Sequence, residues 1–129
     1  MLSQLIKSAD WKSEKHVPVI TITSVPSVPC PVSCVPCNLY EVEVSVGKEI
    51  PHPNMVEHHI AWIALYYVAS GSQLPVKLAR AEFSTHGPDV IIEPVLKTIV
   101  RLPRPGILHA IAYCNLHGLW ESRCDMCTQ

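Results

Sequence analysis

Leu39-Tyr40-Glu41-Val42-Glu43-Val44-Ser45-Val46 places valine at every second position from Val42, against Glu41, Glu43 and Ser45. Side chains on an extended chain alternate between faces, so this stretch reads as a strand buried on one side and wet on the other. Similar β-branched or aromatic runs lie on both sides of it. They are Val17–Val25, His58–Val68, Val76–Phe83, Val95–Leu102 and Ile107–Tyr113, with a last short piece near Leu119. Gly and Pro punctuate the runs, and twelve prolines fit a sheet protein only at turns and edges, because each lacks a ladder donor. Only Leu2–Ser8 allows a helical turn. About seven short strands with turn signals between them predict an all-β antiparallel sandwich.

A chain of 129 residues that is 48% apolar is large enough for one domain with its own core. Ten basic residues against eleven acidic ones leave a net charge of −1, and no basic tract marks a nucleic-acid partner. The longest apolar run, Ile60–Ala69, is far short of the roughly 20 residues that a membrane-crossing helix needs. The N-terminus lacks the basic start and apolar stretch of a secretory signal, so a cytoplasmic location is expected. There the six cysteines stay reduced. Reduced thiols beside seven histidines favour metal ligation over disulfides.

The donors cluster in three places. His52 sits between Pro51 and Pro53, which hold its backbone extended and stiff. His58 opens the apolar run that follows; in a regular strand His58 and His59 point to opposite faces, so only one of them enters a shared site. Cys114-Asn115-Leu116-His117-Gly118 separates a thiol from an imidazole by three residues, and a tight turn relaxed by Gly118 lets both reach one ion. Glu14-Lys15-His16 adds a carboxylate, a cation and an imidazole. His86 and His109, lone histidines in a turn and a strand, read as structural, and Trp11, Trp62 and Trp120 as core or interface residues. Several imidazoles with one thiolate suit iron, copper or zinc, and the residue types alone leave the metal open.

Four motifs narrow the choice. E-K-H-V-P-V-I at Glu14–Ile20, G-K-E-I-P-H-P-N at Gly47–Asn54, E-H-H-I at Glu57–Ile60 and Y-C-N-L-H-G-L-W-E-S at Tyr113–Ser122 resemble the superoxide reductases of the neelaredoxin and desulfoferrodoxin type. The similarity runs from about Leu2 to Ser122. It implies an Ig-like seven-stranded sandwich with a short N-terminal helical turn, carrying one non-haem iron. His16, His52, His58 and His117 would be its equatorial ligands and Cys114 the axial thiolate. Glu14 matches the carboxylate that can take the sixth position of the oxidised iron, and Lys15 the cation beside it. The implied activity is one-electron reduction of superoxide to hydrogen peroxide, with rubredoxin or a similar protein as electron donor and a homo-oligomer, a tetramer or dimer, as the assembly. A non-catalytic iron, electron-transfer or zinc-binding module on the same sandwich is the alternative.

The remaining cysteines fall outside this pattern. Cys30, Cys34 and Cys37 lie in a Pro-rich insertion, residues 24–37 of the sandwich domain 1–122, and Cys124 and Cys127 in a tail, 123–129. Cys34/Cys37 with Cys124/Cys127 has the paired C-x2-C spacing of zinc ribbons and rubredoxin-like iron sites. The chain also resembles the methanoferrodoxins, superoxide reductases that carry a [4Fe–4S] cluster. Four of these five thiols are therefore expected to hold such a cluster, with zinc or a rubredoxin-like iron as the other candidates.

Overall fold

The computed structural model describes residues 1–12, 14–26 and 38–126. After a single 3-10 turn at Leu2–Gln4 come seven strands: β1 (Val19–Ser24), β2 (Asn38–Ser45), β3 (Ile60–Ala69), β4 (Val76–Glu82), β5 (Val95–Leu102), β6 (Gly106–Cys114) and β7 (Gly118–Met126). They form a three-stranded sheet in the order β1-β2-β5 and a four-stranded sheet in the order β4-β3-β6-β7. Every strand pairing is antiparallel. This is the expected seven-stranded antiparallel sandwich.

The alternation in β2 works as its sequence demands. Val42 and Val44 are fully buried, while Glu41 and Glu43 lie on the other face. Full burial of a valine stabilises by about 1.5–3 kcal/mol, so the pattern fixes which face of β2 turns inward. Leu96 and Leu102 of β5 join these valines from the same sheet. Ile63 and Leu65 of β3, with Leu108, Ala110 and Ala112 of β6, close the core from the other.

Two irregularities matter for function. The β3–β6 register shifts between Ile60 and Trp62, just where the His58-bearing segment enters the sheet. Such a bulge re-aims the residues beside it. At the same end, Cys114 pairs with Gly118, closing the β6–β7 hairpin through Asn115-Leu116-His117. Gly118 has φ +82°, the left-handed conformation that ends a three-residue hairpin loop without strain only as glycine.

β7 is longer than its apolar signal and continues through Met126, whose side chain is buried in the core. Cys124 therefore lies in the sheet, paired with Leu108. Among the described residues no helix is long and apolar enough to cross a membrane.

Candidate metal centre

Three chain segments meet at one end of the sandwich. The segment before β1 brings Glu14 and His16, the β2–β3 connection brings His52 and His58, and the β6–β7 hairpin brings Cys114 and His117. Ring centroids of His16 and His52 are 4.8 Å apart, His52 and His58 4.8 Å, His58 and His117 5.0 Å, and His117 and His16 5.1 Å. Neighbouring planes are tilted by 68–88°. The four imidazoles thus stand at the corners of a square.

Glu14 Oε1 lies 2.9 Å from His16 Nε2, 3.2 Å from His52 Nε2, 2.9 Å from His58 Nε2 and 3.2 Å from His117 Nδ1. Cys114 Sγ lies 3.6 Å from His52 Nε2 and 3.8 Å from His117 Nδ1. The carboxylate oxygen is about equally far from all four ring nitrogens, and the sulfur from two of them. At these distances the two atoms would collide on one side of the square, so they approach it from opposite sides. Cys114 is fully buried and the Glu14 side chain is 21% exposed. The carboxylate side is the partly exposed one, although Glu14 Oε1 itself is buried.

Hydrogen bonding does not account for this arrangement. His52 Nδ1–H donates to the Pro53 carbonyl at 2.7 Å, which leaves a lone pair on Nε2. His16 Nε2 and His117 Nδ1 stand 3.1 Å apart, and neutral rings share at most one proton across such a gap. Glu14 Oε1 and His58 Nε2, both buried, have no hydrogen-bond partner. Lone pairs aimed at one point repel unless a cation sits there. Donors about 2.1 Å from an ion and at right angles to one another are about 3.0 Å apart, the spacing seen between Glu14 and the imidazoles. The residues fit a six-coordinate ion. Among the described residues, the donors Glu14, His16, His52, His58 and Cys114 form the one group whose ligand atoms all lie within 4.8 Å of one another. His117 adds the fourth corner.

Burial prepares these groups for a metal. It lowers the affinity of His16 and His52 for protons, His52 to a pKa of about 4, so both keep free lone pairs at neutral pH. Burial pushes the Glu14 carboxyl up, but the surrounding imidazoles outweigh it and hold the group below its ordinary value. The Cys114 thiol is pushed up by burial, and the backbone N–H groups of Leu116 and His117 only partly offset this. Metal binding must therefore displace a proton from Cys114.

The depressed value at His52 has a sign that can be tested on metal-free protein. Folding favours its neutral ring, so that contribution is full above the ordinary value of 6.5 and is lost as pH falls through about 4. The urea midpoint of the chelator-treated chain is expected to be lower at about pH 4.5 than at about pH 7.5. Equal midpoints would contradict it.

Residues outside the expected set shape the centre as well. Asp10 Oδ1 accepts the backbone N–H of His16 at 2.5 Å and of Val17 at 2.8 Å, pinning the Glu14–His16 segment. Trp120, fully buried, stacks on His16 at 4.3 Å and 10°, and its Nε1–H donates to the His117 carbonyl at 3.2 Å. Trp11 meets His16, His117 and Trp120 edge-on. Both tryptophans were expected only as packing. No periodicity links them to the histidines, so the sequence holds no signal of these contacts. Lys15 is half-buried and lines a cleft with Asp10, Val17, Gly47, Lys48 and Glu49.

His59 diverges from His58, as expected. Its Nδ1–H donates to the Met55 carbonyl at 2.9 Å, and Nε2 lies 3.3 Å from Ser84 Oγ. His86 stands against His59 and bonds Asn54, away from the square. Of the other cysteines, Cys124 is half-buried in β7; Cys30, Cys34, Cys37 and Cys127 lie outside the described residues.

An antiparallel sandwich with four imidazoles around one point, a buried thiol on one side and a carboxylate on the other defines a protein built for a single six-coordinate metal ion. Comparison with known proteins agrees. The family model described as Desulfoferrodoxin matches residues 8–123. The superoxide reductase of Pyrococcus horikoshii is 46% identical over 126 residues, 98% of this chain and 99% of the relative. That of Thermococcus kodakarensis is 48% identical over 122 residues, covering 95% and 96%. Among solved structures, the reduced superoxide reductase (neelaredoxin) of Archaeoglobus fulgidus superposes with a TM-score of 0.78 at 42% identity, over 96% of this chain and 99% of that one. The chain belongs to the desulfoferrodoxin family, that of the superoxide reductases and neelaredoxins.

Proposed function

We propose that the chain is a superoxide reductase, converting superoxide, one electron and two protons into hydrogen peroxide. The observation that carries this reading is the single point faced by four imidazoles, a thiolate and a carboxylate. His16, His52, His58, His117 and Cys114 would hold the metal, with Cys114 reaching it from the buried core. Iron bound there would supply one-electron redox chemistry, and the electron-rich sulfur of Cys114 would tune it.

The protein's own groups do the rest. Glu14 covers the solvent-facing apex; when its carboxylate swings out, the apex opens to a small anion. Lys15, next to Glu14 in the chain, draws that anion in and orders the water that delivers protons. Trp11 and Trp120 wall the His16 and His117 side, leaving the Glu14 side as the approach. A purely electron-carrying module needs no apex guarded by a side chain that can move aside, which favours catalysis over the alternative.

The same reading includes a one-electron donor of the rubredoxin kind to restore the ferrous state, assembly as a homo-oligomer and a cytoplasmic location. It also keeps an iron–sulfur or zinc site on four of Cys30, Cys34, Cys37, Cys124 and Cys127.

Pulse radiolysis of the reduced, iron-loaded chain tests the activity. Rapid loss of superoxide without release of oxygen supports the reductase, whereas oxygen release marks a dismutase and slow loss a carrier. Lys15→Ala is expected to lower the second-order rate about tenfold and flatten its ionic-strength dependence, with iron still bound. An unchanged rate would remove Lys15 from the mechanism.

A further inference from the structure

His58 differs from its neighbours in the square in how it is held. His52 is fixed by flanking prolines and its bond to the Pro53 carbonyl, and His16 by Asp10 and the Trp120 face. His58 Nε2 has no hydrogen bond to any described group, and its ring meets the rings of His52 and His117 edge-on, so the aim of the imidazole depends on how its backbone is placed beside them.

The His58 N–H donates to the Met55 carbonyl at 3.1 Å and the His58 carbonyl accepts the Met55 N–H at 2.9 Å, while one side chain ties the residues on either side of it to the Cys114–His117 loop. Asn115 Oδ1 accepts the N–H of His59 at 2.8 Å, and Asn115 Nδ2 donates to the carbonyl of Glu57 at 3.1 Å. The Asn115 backbone N–H donates to the His59 carbonyl at 3.2 Å. The three bonds bracket His58 and tie it to the loop that carries Cys114 and His117. The location explains the need. The β3–β6 ladder ends at the Ile60–Cys114 pair, beside the register shift, so regular strand pairing stops short of His58. A side-chain amide offers a donor and an acceptor side by side, as a peptide group does, and here extends the ladder by one step. Aspartate lacks the donor, and glutamine is one methylene too long for the same reach.

We infer that Asn115 is a positioning residue: its side-chain amide clasps the backbone around His58 and fixes that imidazole relative to Cys114 and His117. The inference rests on the reading that these groups bind one iron. Groups that orient ligands without touching the metal typically change its affinity about 10–100-fold when removed.

The test compares iron-loaded wild-type chain with Asn115→Ala and Asn115→Asp. The readouts are iron loss to a chelator, the electron paramagnetic resonance of the oxidised form, and the thermal midpoint. Asn115→Ala is expected to lose iron about tenfold faster and to show an altered resonance; Asn115→Asp, which keeps the acceptor for the His59 N–H, should fall between. A lower thermal midpoint with wild-type iron loss and resonance would reduce Asn115 to a turn residue and overturn the inference. If Asn115→Ala does not fold, Asn115→Asp decides alone: faster loss with an altered resonance supports the clasp, and wild-type behaviour overturns it. Wild-type chain that takes up no iron would instead overturn the underlying reading.

Discussion

Cys114→Ser is expected to abolish the sulfur-to-iron absorption band of the oxidised protein and to slow superoxide reduction by at least about 100-fold. Cys114 is fully buried at the end of β6, and among the described residues its sulfur alone faces the imidazole square. Serine occupies nearly the same space, so the sandwich should survive. A buried hydroxyl costs roughly 1–3 kcal/mol against a typical domain stability of 5–15 kcal/mol. What serine lacks is a soft, electron-rich donor with an accessible charge-transfer transition. Absorption spectra of the iron-loaded variant check this. A sulfur-to-iron band that persists would mean that a sulfur other than Cys114 ligates the iron.

His52→Ala should have a comparable effect by a different route. His52 is buried, bonded to its own loop and in contact with both flanking imidazoles. Its loss removes one corner of the square and opens a gap that water enters. Iron affinity is expected to fall by at least about 100-fold, read as iron retained per chain after dialysis against a chelator. His59→Ala is the control, because that ring turns to Met55 and Ser84. Equal iron loss in both variants would show that the effect is general loosening of the loop and not loss of a ligand.

Much of the fold was legible because the chain alternates so regularly in β2 and breaks at prolines elsewhere. Each expected strand exists within a few residues of its expected bounds, except that β7 runs on to Met126. Its alternation there passes through Arg123, Cys124 and Asp125, which carry no apolar signal. His58 and His59 do diverge, but ahead of β3 and beside its register shift rather than within a regular strand as the alternation argument assumed. The meeting of Cys114 with His117 followed from the glycine that closes their turn. Which sheet each strand joins was not legible, since it depends on contacts between distant residues. Nor were the roles of Asp10, Trp11 and Trp120. A carboxylate that caps two N–H groups and an indole that stacks on an imidazole show themselves only once β7 and the N-terminal segment lie side by side, as the bond from the Lys7 N–H to the Leu119 carbonyl places them. The donor types were readable without relatives, but the choice of iron over copper or zinc came from the motifs.

X-ray absorption at the iron edge of the anaerobically reduced chain, calibrated to iron per chain, bears most directly on the centre. The expected spectrum is that of one iron bound by four nitrogen donors and a single sulfur. Iron without sulfur in its coordination shell, or zinc at stoichiometric level with no iron, would contradict the assignment.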